Sequence, residues 1–250
     1  MVGGNAVKEV QTANVIRALI VEFLGTFALI FVGAGAIIAT AGGDLVAIAL
    51  AHGLAIGLFV AAAGHISGGV YNPALTLGLA IARKLNPILI IPYIVVQLIG
   101  AAVAALCLKG IFPSAAIDKV SLGVPAIGKG FGTGGAFLAE VIMTFFLMFV
   151  VFGTAVDERG PRAIAGLAIG LSITMDIFIG GGATGAAMNP ARHFGPALIG
   201  NYWANWWLWW VAPIVGALLA AGLYAYVLLE QSTTPRPDTL DGEVPRDRRV

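Results

Sequence analysis

Charged side chains are scarce in this chain of 250 residues: 11% are Asp, Glu, Lys or Arg, while 59% are apolar. Soluble domains carry roughly 25% charged residues. The scarcity argues against a soluble protein and indicates a chain that crosses the membrane several times. A spanning helix needs about 20 apolar residues, so the length accommodates about six spans with short loops. The net charge of +1 gives no electrostatic argument for binding nucleic acid.

Cysteine and histidine are scarce as well. The single cysteine, Cys107, excludes an internal disulfide and a cysteine-based metal cluster. The three histidines are His52, His65 and His193, and their spacing matches no paired metal motif. We therefore expect no metal and no other cofactor. The N-terminus lacks the basic region, short apolar core and cleavage site of a signal peptide, so we expect the first span to be an uncleaved insertion signal.

Six long apolar segments are present, each of about the length that crosses a bilayer. They cover residues 15–40, 45–63, 88–108, 133–154, 162–180 and 206–229. A polar tail precedes them at 1–14, and the membrane domain is expected to run from 15 to 230. The tail at 231–250 is rich in proline and charge, a composition that predicts disorder. The stretch 113–130 carries no motif and is expected to be an external loop.

The apolar segments form an internal repeat, with a first copy at about 15–110 and a second at about 132–230. The hexapeptide Gly-Leu-Ala-Ile-Gly-Leu occurs at 53–58 and again at 166–171. Each copy holds three spans, and an odd number inserts the second copy upside down in the membrane. An inverted repeat of this kind places its functional site near the midplane, between the two copies.

A tripeptide that starts helices also occurs once in each copy. It is Asn72-Pro73-Ala74 in the first copy and Asn189-Pro190-Ala191 in the second. Asn is a favoured N-cap, and Pro is tolerated at the first helical position. About 10 apolar residues follow each tripeptide, which is roughly 15 Å of helix and half of the hydrocarbon thickness. The pattern therefore predicts two re-entrant half-helices whose N-termini meet at the bilayer centre.

Facing N-termini at the bilayer centre would create a polar site without ionisable side chains. Each helix N-terminus carries roughly half a positive charge, which repels cations and suits a neutral molecule that accepts hydrogen bonds. The alternative is that the two Asn-Pro pairs only cap scaffold helices. Non-helical backbone at membrane depth is tolerated only where it is buried in protein or lines water, so the site-building interpretation is favoured.

The paired Asn-Pro-Ala motifs, the second followed by Arg192, resemble those of the aquaporin (major intrinsic protein) family. Ile-Ser-Gly-Gly at 66–69 and Glu-Phe-Leu-Gly-Thr-Phe at 22–27 are similar too. The resemblance covers roughly 15–230. It implies an all-α membrane protein with six transmembrane helices and two re-entrant half-helices in an inverted repeat. It also implies a homotetramer in the lipid bilayer, with water and small neutral solutes as the molecules it conducts.

The resemblance locates a selectivity filter on the second span, on the fifth span and around the second tripeptide. The four positions are His52, Ile177, Ala186 and Arg192. Arg192 is a candidate without the family too, because an arginine inside the membrane is usually functional. The alternatives are an Arg192 that snorkels at the membrane edge and a His52 satisfied by a hydrogen bond between helices. This set resembles the tonoplast-type plant members, some of which also pass ammonia.

The pore wall is expected to combine backbone carbonyls from the two glycine-rich loops with apolar side chains. A ladder of acceptors would carry water in single file, and the two asparagines would reorient it. Besides the filter residues, the expected wall residues are Ile56, Gly68, Gly69, Val70, Tyr71, Leu75, Gly185, Ala187 and Met188.

Two carboxylates, Glu22 and Glu140, occupy matching points of the repeat. We expect each to accept hydrogen bonds from backbone N–H groups of a pore loop; the alternative is a proton relay. Asp176 is expected to face away from the pore, toward another span or a neighbouring subunit. For His193 two placements stay open, one stacked under Arg192 and one facing lipid.

The function that the sequence favours is a passive channel for water, ammonia and small neutral solutes that excludes protons and ions. A glycerol facilitator of the same family is the near alternative, but such members typically have Asp after the second motif and Pro-Leu in the sixth span. This chain has His193 and Trp209-Trp210 there. An inverted-repeat secondary transporter is the alternative from another class. An enzyme is not expected, because no nucleophile and base are paired. The loop cations place both termini in the cytoplasm, and we expect the cell membrane as the location.

Overall fold

The computed structural model describes residues 3–229, and the side chains of residues 14–229. Within this part all regular structure is helical, and the tail at 231–250 lies outside it. The α-helices are α1 (Gly3–Ala39), α2 (Leu45–Ser67), α3 (Pro73–Ile81), α4 (Ile90–Ile111), α5 (Ser114–Lys119), α6 (Thr133–Val151), α7 (Ala165–Thr184), α8 (Pro190–Gly200) and α9 (Leu208–Leu223). Short 3-10 helices at Pro87–Leu89 and Arg162–Ile164 lead into α4 and α7, and π-helical turns at Phe152–Val156 and Tyr224–Leu228 extend α6 and α9.

Six helices of the described part are long and apolar enough to cross a membrane. They are Asn14–Ala39, Leu45–Ser67, Pro87–Ile111, Thr133–Val156, Arg162–Thr184 and Leu208–Leu228. The two helices that start at the Asn-Pro-Ala motifs are much shorter, with 9 residues in α3 and 11 in α8. The fold class is therefore confirmed: six spanning helices and two half-helices.

The two copies of the repeat meet where α2 crosses α7. A β-carbon on Gly53 would collide with the carbonyl of Gly170, and one on Gly170 would collide with the carbonyl of Gly53. Close by, the Thr174 hydroxyl donates to the Ala49 carbonyl at 3.2 Å. The pair Gly53 and Gly170 is separated by 117 positions, the same number that separates the two motif asparagines. These glycines therefore lie at the centre of the structural repeat.

The repeated hexapeptide is displaced from this structural repeat. Its two occurrences, at 53–58 and 166–171, are 113 positions apart, which is about one helical turn fewer than the spacing of the asparagines. A shift of one turn returns to the same helix face, so both occurrences still bring glycine to the α2–α7 contact. The sequence match located the contact correctly but not the equivalent residues.

Each half-helix is packed against the long helices of the opposite copy. In α3 a β-carbon on Gly78 would come within 3.2 Å of the Ala217 carbonyl of α9. In α8 a β-carbon on Gly195 would collide with the Ala101 backbone of α4. Such close approach leaves space only for glycine. Because each half-helix packs on the opposite copy, the two N-termini are held at the same depth.

Candidate functional site

The two half-helices meet end to end through their asparagines. The side-chain oxygen of Asn72 accepts from Ala74 N at 2.9 Å, and that of Asn189 accepts from Ala191 N at 2.9 Å. Each side chain thus caps its own half-helix, as the sequence predicts. The side-chain amide has two N–H groups, so both residues retain donors that can act beyond their own helix.

One amide N–H of each asparagine ties the two copies together. The Asn72 amide donates to the Met188 carbonyl at 2.8 Å, and the Asn189 amide donates to the Tyr71 carbonyl at 2.9 Å. These bonds lock each half-helix to the pore loop of the other copy. The second N–H of each amide remains for a molecule in the cavity that both asparagines line.

A buried carboxylate holds the first pore loop, which is the segment 68–72 between α2 and α3. Glu22 accepts hydrogen bonds from Val70 N at 3.0 Å and Tyr71 N at 2.7 Å. It also accepts from the Ser67 hydroxyl at 2.7 Å and the Gln97 amide at 2.8 Å. Four donors meet a fully buried side chain, so burial of this carboxylate is compensated by hydrogen bonds.

The second pore loop, which is the segment 185–189 between α7 and α8, is held by the equivalent carboxylate. That carboxylate accepts from one donor fewer. Glu140 accepts from the Thr184 hydroxyl at 2.6 Å, from Ala187 N at 2.9 Å and from Met188 N at 2.8 Å. It is fully buried too. The contacts of both carboxylates are those expected of structural groups that fix the loop backbone.

A cavity of about 30 Å³ lies where the half-helices meet. A water molecule needs at least about 10–15 Å³ by this measure, so the cavity has room for about two waters. Its lining combines both asparagines and three filter candidates with apolar side chains. The lining residues are Leu29, His52, Ile56, Tyr71, Asn72, Leu75, Leu147, Ile169, Ile173, Ala186, Ala187, Met188, Asn189 and Arg192.

Four lining residues were missed by the sequence analysis, namely Leu29, Leu147, Ile169 and Ile173. Leu29 and Leu147 are 118 positions apart, as are Glu22 and Glu140. This spacing was the signal that could have found them. Conversely, the expected wall residues Gly68, Gly69 and Val70 belong to the first loop but lie outside the cavity lining.

Beyond the filter candidates the cavity gives way to an open vestibule of about 350 Å³. Ile177 and Gly185 line the vestibule, and Arg192 borders both the vestibule and the inner cavity. The structure therefore places His52 and Ala186 on the inner cavity and Ile177 on the vestibule, with Arg192 shared by both.

Arg192 is held inside the protein by two hydrogen bonds. Its Nε donates to His52 Nε2 at 3.1 Å, and its Nη1 donates to the Gly123 carbonyl at 2.8 Å. His52 Nδ1 lies 2.8 Å from the Ile48 carbonyl. Because a carbonyl only accepts, Nδ1 carries the proton and Nε2 is the acceptor, which makes His52 the neutral tautomer. Arg192 is 1% exposed, so it does not snorkel.

Gly123 is a functional contact that the sequence analysis missed. It ends a run of three residues with left-handed backbone, with φ of 49° at Ser121, 55° at Leu122 and 73° at Gly123. This turn directs the carbonyl of Gly123 to the arginine. The stretch 113–130 contains no motif, and the direction of a backbone carbonyl cannot be read from the residue type. The sequence therefore has no signal for this contact.

Asp176 and His193 are both buried inside the chain. Asp176 is 1% exposed, and its Oδ2 has no hydrogen-bond partner among residues 14–229. It does not line the central cavity, so it faces another span, as one of the two expected placements had it. His193 is fully buried with its ring stacked on Trp209, the centroids 5.0 Å apart and the planes at 6°. Its burial excludes the lipid-facing placement, and the residue on which its ring stacks is a tryptophan that neither placement named.

Comparison with known proteins decides the family. The family model described as Major intrinsic protein matches residues 9–224. The chain belongs to the major intrinsic protein family. Aquaporin TIP4-4 of Zea mays is 38% identical to this family member over 247 residues, which are 93% of this chain and 96% of that protein. Aquaporin-5 of Homo sapiens is 39% identical over 229 residues, which are 90% of this chain and 86% of that protein.

A solved structure supports the same assignment. The X-ray structure of the aquaglyceroporin from Plasmodium falciparum matches this major intrinsic protein with a TM-score of 0.78 at 29% identity. The match covers 86% of this chain and 97% of that one. Membership makes the chain a membrane channel for water and small solutes and not an enzyme.

Proposed function

We propose that this channel conducts water in single file, also passes ammonia and other small neutral solutes, and excludes ions and protons. The observation that carries the proposal is the pair of motif asparagines at one cavity, each with one amide N–H left over. The two half-helix N-termini add positive potential at the same place. A water oxygen is bound there, while a cation is repelled.

The constriction supports water and ammonia over larger solutes. His52 and Arg192 form one polar side, and Ile177 and Ala186 supply apolar surface. Room for about two waters favours solutes of that size over the larger glycerol. No contact in the described part of the channel favours the glycerol-facilitator alternative.

The assembly is proposed to be a homotetramer in the cell membrane with both termini in the cytoplasm. Basic residues of the loops separate into two sets by the side of the membrane they reach. One set is Arg17, Arg83, Lys84, Arg159 and Arg162, and the other is Lys109, Lys119 and Lys129. The larger set marks the cytoplasmic side.

Stopped-flow light scattering on proteoliposomes tests the proposal. Under an osmotic gradient we expect fast shrinkage with a low activation energy and no requirement for an ion. Empty liposomes of the same lipid provide the baseline. Permeability at that baseline would refute the channel.

A substitution in the filter tests its role in selectivity. In His52→Phe we expect ammonia and glycerol uptake to fall more than water uptake, because an aromatic ring narrows the constriction and removes the acceptor of Arg192. The control is His65→Phe, which changes an exposed histidine outside both cavities. Equal loss of all three permeabilities in His52→Phe would mean that His52 is only structural.

A further inference from the structure

An open groove of about 600 Å³ lies on the outer surface of the bundle, where the first two spans meet. The beginning of the span Asn14–Ala39 and the end of the span Leu45–Ser67 form it, since these two helices are antiparallel. The groove shares no lining residue with the central cavity or the vestibule. Its lining residues are Asn14, Arg17, Ile20, Val21, His65 and Ile66.

Two basic side chains of this groove have no partner inside the protein. Arg17 and His65 are both exposed, and neither side chain has a hydrogen-bond or ion-pair partner in the described part of the chain. The nearest carboxylate along α1 is Glu22, which is buried and already accepts from four donors. The groove therefore presents a guanidinium and an imidazole without any carboxylate to neutralise them.

Both basic groups lie at the edge of the apolar spans. Arg17 is the fourth residue of its span, and His65 is the third residue from the end of its own. At 1.5 Å per residue each is within about 5 Å of the end of the span, so both heads reach the level of the lipid headgroups. Basic pockets between spanning helices at this level attract anionic headgroups.

Apolar side chains continue the groove toward the bilayer centre. Ile20 and Ile66 are exposed at its sides, and Val21 is buried beneath them. About one turn further along α1, Leu24 is exposed as well. A small anion gains nothing from these side chains, whereas a hydrocarbon chain gains contact with all of them. The combination fits an amphiphile with a negatively charged head.

We infer that this groove binds an anionic phospholipid, whose phosphate accepts hydrogen bonds from Arg17 and His65 and whose acyl chains lie against Ile20 and Ile66. A guanidinium and a phosphate form a strong charge-assisted pair. The lipid contacts α1 and α2 together, beside the 2.7 Å bond from the Ser67 hydroxyl to Glu22. Its binding therefore stabilises the contact between these two helices.

Thermal unfolding in detergent with added lipid measures the binding, because a ligand of the folded state raises Tm. We expect palmitoyl-oleoyl phosphatidylglycerol to raise the Tm of the wild type, and phosphatidylcholine with the same acyl chains to raise it much less. Arg17→Gln should weaken the affinity for phosphatidylglycerol about tenfold, the effect of one lost hydrogen bond to a charged group. His65→Phe should weaken it less. An unchanged affinity in Arg17→Gln would overturn the inference.

Arg83→Gln is the matched control. It removes the same charge from the same side of the membrane, at an exposed position outside the groove, and should keep the wild-type affinity. Equal losses in Arg17→Gln and Arg83→Gln would mean diffuse attraction and would contradict a defined site. Inorganic phosphate is the second control. A rise in Tm equal to that with phosphatidylglycerol would mean an anion site without a role for acyl chains, which also contradicts the inference.

Native mass spectrometry distinguishes a lipid in the groove from a second copy of the chain. If a neighbouring subunit covers the groove, Arg17→Gln changes the number of subunits and bound phosphatidylglycerol does not depend on Arg17, which overturns the inference. The proposed function is tested separately in phosphatidylcholine liposomes, which contain no anionic lipid. There the wild type should conduct water whether or not the groove binds lipid, and His65→Phe remains a valid control for the filter.

Discussion

The two copies of the repeat share a scaffold but differ in the side chains that face the pore. Both have a capping asparagine, a buried glutamate behind the loop and a glycine against the opposite copy. None of the four filter residues has a polar counterpart in the other copy of the repeat. For His52, Ile177, Ala186 and Arg192 the equivalent residues, 117 positions away, are Ile169, Val60, Gly69 and Leu75. Both copies therefore contain the groups that hold a half-helix, whereas the polar constriction occurs only once in the part of the chain that the structure describes.

The copies also brace their loops by different means. In the first copy the Gln97 amide joins Glu22 to the Thr76 hydroxyl, with donor distances of 2.8 and 3.1 Å. In the second copy the equivalent positions hold Pro213 and His193. A hydrogen-bond network is thus replaced by aromatic stacking on Trp209. The comparison shows that one backbone arrangement can be stabilised by two kinds of contact.

The largest effect is expected where both copies depend on the same contact. Gly170→Val places side-chain atoms against the backbone of Gly53, where neither helix can retreat without opening the bundle. We expect a loss of about 3 kcal/mol, the upper end of what overpacking usually costs, and little or no monodisperse protein by size-exclusion chromatography in detergent. Gly222→Val in α9, where no atom lies within 4 Å, is the control. Normal yield of Gly170→Val would show that the crossing is not tightly packed.

Substitution of either buried glutamate should have a smaller effect on stability, and the effect should differ between the two. Glu22→Gln and Glu140→Gln each place an N–H₂ donor opposite groups that donate to the carboxylate, which costs about 1–3 kcal/mol. We expect both variants to melt at lower temperature, and Glu22→Gln to lose more because Glu22 has four donors and Glu140 three.

The effect of the same two variants on solute selectivity should follow the opposite order, with Glu140→Gln affected more than Glu22→Gln. Only Glu140 holds the loop that contains Ala186. The ratio of glycerol to water permeability should therefore rise in Glu140→Gln and stay at the wild-type value in Glu22→Gln. Equal ratios in the two variants would contradict the division between scaffold and filter.

The smallest effect concerns the turn that follows the C-terminal end of α6, which has an ion pair. Hydrogen bonds from the Arg159 side chain hold the pKa of Asp157 at about 2. A lowered pKa stabilises the fold above the ordinary value near 3.8, and this contribution disappears as the pH falls toward 2. Because Arg159 is half exposed, we expect less than about 1 kcal/mol.

The difference in Tm between wild type and Asp157→Asn measures this contribution. It should be constant from pH 7 to pH 5 and shrink below pH 4. Glu158→Gln, which alters an exposed side chain nearby, is the control and should show no such trend. A difference that grows on acidification would contradict the assigned direction of the pKa shift.

Local signals account for the parts of the site that the sequence predicted. An asparagine followed by proline favours the start of a helix, so Asn72 and Asn189 located both half-helices. Arg192 lies in the first turn of α8, and its position relative to Asn189 follows from helix geometry. The partners of Arg192 were not predictable in this way. Gly123 lies 69 positions away in a loop without a motif, and only the packing of that loop on the helices brings its carbonyl there.

The sequence by itself determined the number of spans, the inverted repeat and the two half-helices, because hydropathy and helix-start signals act over short distances. Tertiary structure alone decided which nitrogen of His52 accepts from Arg192, which loop carbonyl completes that site, and that His193 lies on Trp209 rather than in lipid. These contacts join residues of α2, α8, α9 and the loop that contains Gly123. Their geometry depends on how helices approach one another, and that is set by the whole packed bundle.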